Sequence, residues 1–76
     1  MIKLVNIKQL DDNLIKMDVL VENKNNNSFE IVFNDEGKIV SSTARNNQNY
    51  YKAQARIAFS KYIGKELPNE ISSMWY

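Results

Sequence analysis

Tyr51-Lys52-Ala53-Gln54-Ala55-Arg56-Ile57-Ala58-Phe59-Ser60-Lys61-Tyr62 is where the periodicity of this chain changes. Counting from Tyr51, residues Ala55, Ala58, Phe59 and Tyr62 follow at i+4, i+7, i+8 and i+11, which is one stripe of an α-helix. The apolar pattern before this stretch has a period of two. The spacing therefore predicts one amphipathic helix over roughly residues 47–63, laid across a sheet built by what precedes it. Asn46 or Asn47 is placed to cap its start, and Gly64 to end it in the left-handed conformation.

Working back from the helix, residues 14–22 give the cleanest strand. Ile15, Met17, Val19 and Val21 point one way, and Lys16, Asp18 and Glu22 the other. Residues 2–9 form a first strand, joined through the turn cluster Asp11-Asp12-Asn13. Residues 23–28 read as a polar loop, including the glycosylation-like Asn26-Asn27-Ser28. Phe29, Ile31 and Phe33 alternate with Glu30, Val32 and Asn34 in a third strand. Asn34-Asp35-Glu36-Gly37 reads as a type I turn with Gly37 at positive φ, and residues 38–43 return as a fourth strand.

The expected fold is α+β: a four-stranded antiparallel β-meander in β-β-β-β-α order, with the helix on one face. Leu67 precedes Pro68 and is pushed toward an extended conformation, and residues 70–76 form an extended tail or a short edge strand. The expected core is Val5, Ile7, Ile15, Met17, Val19, Val21, Phe29, Ile31, Phe33 and Ile39 from the sheet, with Tyr51, Ala55, Ala58, Phe59 and Tyr62 from the helix.

A chain of 76 residues with no linker makes one domain, residues 1–76, with room for a small core and no deep pocket. It has no Cys and no His, which removes thiol chemistry, most zinc sites and every imidazole base. Asp11-Asp12 and Asp35-Glu36 sit in turns without calcium-loop spacing, and Asp18, Glu22 and Glu30 share a flat face that does not exclude water. No phosphate-binding glycine loop or nucleophile elbow is present. The expectation is a non-enzyme without cofactor or metal. The lack of Cys points to a reducing compartment, and the absence of a signal-like or long apolar run points to a cytoplasmic protein without a membrane partner.

Three features are left over. Leu4, Leu20, Val32 and Val40 fall on the parity opposite to the core and are expected to line the open sheet face as a contact with another protein or a second copy. Met74-Trp75-Tyr76 ends the chain with its one Trp, offered to a partner or closing the core. Residues 43–65 hold Arg45, Lys52, Arg56, Lys61 and Lys65 and no acid, with Tyr50 and Ile57 near Lys61 outside the core stripe. The leading expectation is a small protein-binding module, with homodimerisation as one form of it. The alternative is nucleic-acid binding through the five cations.

Overall fold

Alternating side chains and short polar turns put the first half of the chain into a sheet, and the structure, a computed structural model, describes residues 2–21 and 24–73. Strands β1 (Ile2–Asp11), β2 (Leu14–Val21), β3 (Lys24–Asn34) and β4 (Ile39–Ser42) run as an antiparallel meander. A 3-10 turn (Asn46–Gln48) leads directly into helix α1 (Asn49–Ser60). The chain then returns as β5 (Ile71–Ser73), antiparallel to β1, so the sheet order is β4-β3-β2-β1-β5. The expected meander-plus-helix architecture is present, and its C-terminal extension is a fifth, edge strand. No helix among the described residues is long and apolar enough to cross a membrane.

The turns form as their side chains dictate. The Asp11 carboxylate accepts from the Asn13 amide at 2.8 Å. Asn34 Oδ1 accepts from the amides of Glu36 and Lys38, each at 2.9 Å, while Gly37 N donates to Asn34 O at 3.0 Å with φ +81°. Gly64, at φ +76°, follows the helix end.

The core joins one sheet face to the helix. Ile15, Met17, Val19, Val21, Phe29, Ile31 and Phe33 are buried from the middle strands, and Ala55, Ala58 and Phe59 from α1. Phe33 and Phe59 stack with centroids 4.7 Å apart. The two alanines let the helix backbone sit close to the strands, and Ile7, Ile39, Tyr51 and Tyr62 pack around the rim.

β1 departs from the expected parity. Asn6 adopts φ +54°, and Asn6 and Ile7 together oppose Met17 between the Val5–Asp18 and Lys8–Lys16 pairs. This bulge shifts the side-chain phase by one residue. Ile2 and Leu4 before it, and Ile7 after it, therefore all face the helix. Leu4 is fully buried, so its expected place on the open face is corrected, and Val5 stands there half-buried instead. Ile2 and Ile71 join the core as well.

Two further expectations change. The polar segment read as a loop is the start of β3 from Lys24, held in irregular register against Val21. The cap residues Asn46 and Asn47 lie inside the 3-10 turn, and the capping work falls to Gln48. Its Oε1 accepts from the Arg45 amide and its Nε2 donates to Asn27 O, each at 2.9 Å. The second bond ties the helix start to β3, which is why a polar side chain is buried there.

Candidate interaction surfaces

The open sheet face is set by strand register. Val5 pairs with Asp18 and Asp18 with Glu30; Lys8 pairs with Lys16 and Lys16 with Val32; Lys3 pairs with Leu20. Leu20 and Val32 are thus on this face, half-buried, and Val40 lies beside it in a β4 irregularity, 53% exposed. They do not form one apolar patch, because the Asp18–Glu30 pair stands between Leu20 and Val32, and Lys16 is paired directly with Val32. These charges are matched on the face itself. Lys16 Nζ lies 3.3 Å from a Glu30 carboxylate oxygen, Asn6 Nδ2 donates to Asp18 at 2.8 Å, and Lys3 lies 3.7 Å from Glu70. This is the make-up of a solvated sheet face.

The outward pole of the helix departs from the usual pattern. Its core stripe leaves Tyr50, Ala53, Ile57 and Ser60, at i, i+3, i+7 and i+10, on the side opposite the sheet. Tyr50 is 54% and Ile57 57% exposed, where a solvent-facing helix normally carries charge. Ile63 adds a further exposed aliphatic side chain just past the helix, seated over Gly37. Between α1 and the β3–β4 turn lies a shallow groove of about 230 Å³, lined by Glu36, Gly37, Arg56, Ile57, Ser60 and Ile63. Ala53 and Ile63 were not among the sequence candidates. Ala53 was legible from the i+3 spacing, but Ile63 depends on the path of the chain past Ser60.

The cations divide around this stripe. Helical spacing puts Lys52 and Arg56 on one flank of it and Lys61 on the other. Arg45 precedes the 3-10 turn and Lys65 follows Gly64, both exposed. Among the described residues, no acid lies within ion-pairing distance of any of the five. Lys61, the C-cap of α1, suits the helix dipole, whereas Lys52 and Arg56 gain nothing from it. Met74, Trp75 and Tyr76 lie outside the described residues.

A second concavity, of about 350 Å³, opens between the β1–β2 and β3–β4 turns and the helix end, with Asp12, Asp35 and Lys65 at its rim and Ile15, Phe59 and Leu67 in its wall. Among the described residues no group of three acidic, His or Cys side chains is placed to hold a metal ion. Neither family models, nor curated proteins, nor solved structures give a match to this chain.

Proposed function

We propose that this chain is a non-catalytic protein-binding module that engages its partner through the outward face of α1. The observation that carries this reading is the exposure of Tyr50 and Ile57 on a helix pole where charge would be expected. A large apolar side chain more than half exposed at the centre of a helix face, with a groove of mixed polar and aliphatic lining beside it, has the chemistry of a docking anchor. The self-association form of the reading uses Leu20, Val32 and Val40. A second copy on the sheet face would have to cover Lys16, Asp18 and Glu30 along with them, at a desolvation cost. The helix face is therefore the better-supported surface.

Nucleic-acid binding is the second reading, favoured by five cations with no acidic partner among the described residues. Its weakness is geometric: apolar Tyr50, Ala53 and Ile57 separate Lys52 and Arg56 from Lys61.

Sedimentation over a concentration series, with and without duplex DNA and RNA, separates these readings. It is paired with nuclease-treated capture from the source cell and reconstitution from purified components. The expected outcome is one stoichiometric protein partner, lost in Ile57→Asp and retained in Leu20→Lys. A complex that forms only with nucleic acid, or an Ile57→Asp variant that binds its partner unchanged, would sink the reading.

A further inference from the structure

We propose that the partner segment seated on α1 is an acidic amphipathic helix, a deepening that rests on the protein-binding reading above. Its apolar side chains would lie along Tyr50, Ala53 and Ile57 and enter the groove beside Ile63. Its carboxylates would reach Lys52 and Arg56 on one flank and Lys61 on the other.

The argument is charge complementarity around an apolar seam. Residues 43–65 contain five cations and no acid. The two ion pairs among the described residues, Lys16 with Glu30 and Lys3 with Glu70, both lie on the sheet and involve none of these five cations. Lys52 and Arg56 are four residues apart on one flank, where like charges repel and weaken the isolated helix. A segment carrying Glu or Asp beside its apolar positions would relieve that repulsion on binding. The apolar seam also fits a helix better than an extended strand. Its side chains recur at i, i+3 and i+7, the spacing that a second helix reads with its own ridge. A second copy of α1 is disfavoured by the same charges, since cations would meet cations. Glu36 is the one acid among the residues lining the groove.

The test uses the full chain, isotope-labelled, titrated with two designed helical peptides of about 14 residues, long enough to span α1. Both carry Leu at i, i+3 and i+7. One has Glu at the flanking positions and the other Lys. A short DNA duplex and vesicles of anionic phospholipid form two further arms. Amide resonances report where each probe lands, and circular dichroism checks that each variant is folded.

The acidic peptide is expected to shift Tyr50, Ala53, Ile57 and Ile63 saturably, with the Lys peptide inert. Lys52→Glu with Arg56→Glu should weaken it about fivefold to tenfold, since each exposed ion pair contributes little alone. Ile57→Ala should weaken it independently of salt. Equal binding of the Lys peptide would overturn the acidic inference and leave the protein-docking reading standing. Perturbation of the sheet face with Ile57 unmoved would overturn the site. If neither peptide perturbs α1, both readings fall. If duplex or vesicle shifts the same residues more tightly than the acidic peptide, the partner is not a protein segment and the inference is wrong.

Discussion

Gly37 and Gly64 hold the two ends of one contact region by different means. Both have positive φ, +81° and +76°, where an added Cβ strains the backbone. A Cβ on Gly64 would meet open space, whereas one on Gly37 would overlap Ile63 Cδ1. Gly64→Ala is thus a measure of the backbone term alone, about 1–2 kcal/mol. Gly37→Ala should cost that and, in addition, push the flexible end of Ile63 away. Denaturant unfolding checks both, and in an Ile63→Ala background the two should become equal. A persistent gap there would mean the turn strains in some other way. Phe59 is the opposite case, a residue whose worth is all packing. It is 1% exposed and stacked on Phe33, so Phe59→Ala should cost about 3–5 kcal/mol. Arg56→Ala, on the exposed flank of the same helix, should change stability by less than about 0.5 kcal/mol. Equal midpoint shifts for Phe59→Ala and Arg56→Ala would mean that the helix is rotated from the orientation described.

Gln48 is the seam between elements. Its side chain satisfies the Arg45 amide and the Asn27 carbonyl, joining the approach to α1 with β3. Gln48→Ala leaves both backbone groups short of a partner and should destabilise by about 1–3 kcal/mol. Gln48→Glu keeps the acceptor for Arg45 but loses the donor to Asn27, so it should fall between. Thermal unfolding of the pair tests the order, and a Gln48→Glu variant as weak as Gln48→Ala would place the whole value in the β3 contact. This seam was not legible in the sequence, where Asn46 and Asn47 have the better capping chemistry and Gln48 is an ordinary polar residue. The elements themselves were legible wherever a period ran unbroken: β2, the apolar half of β3, and α1 from Tyr51 to Tyr62. They were misread where a backbone irregularity reset the phase. The bulge at Asn6 turns Leu4 inward and Val5 outward, and one residue of slip exchanges the two faces. Asn tolerates positive φ better than most residues, but an Asn inside an alternating run does not announce that conformation.

At the scale of the molecule, the two ends of the described chain meet at one sheet edge. Ile2, Lys3 and Leu4 of β1 pair with Ser73, Ser72 and Ile71 of β5. Closing that ladder encloses nearly the whole chain, and the loop entropy falls on three residue pairs. The binding surface proposed for α1 was only partly visible in the sequence for a related reason. Tyr50 and Ile57 could be placed off the core stripe from spacing alone, but the groove at Ile63 exists only once the β3–β4 turn has packed against the helix end. β5 has one large anchor. Ile71 is 5% exposed and belongs to the core, whereas the Lys3–Glu70 ion pair is open to solvent and contributes little. The β1–β5 ladder should therefore open at lower free energy than the β2–β3 ladder, and native-state hydrogen exchange reads both. Ile71→Ala removes most of the apolar hold, so protection of the β1–β5 amides should collapse while that of β2 and β3 falls less. Glu70→Ala should leave both ladders almost unchanged. Equal protection of the two ladders in the unmodified chain would show that β5 is part of the global folding unit. Ile71→Ala should then lower the stability of the entire molecule by about 2–5 kcal/mol. Loss of β1–β5 protection in Glu70→Ala but not in Ile71→Ala would reverse the assignment, making the exposed ion pair the fastener of this edge and the buried side chain incidental.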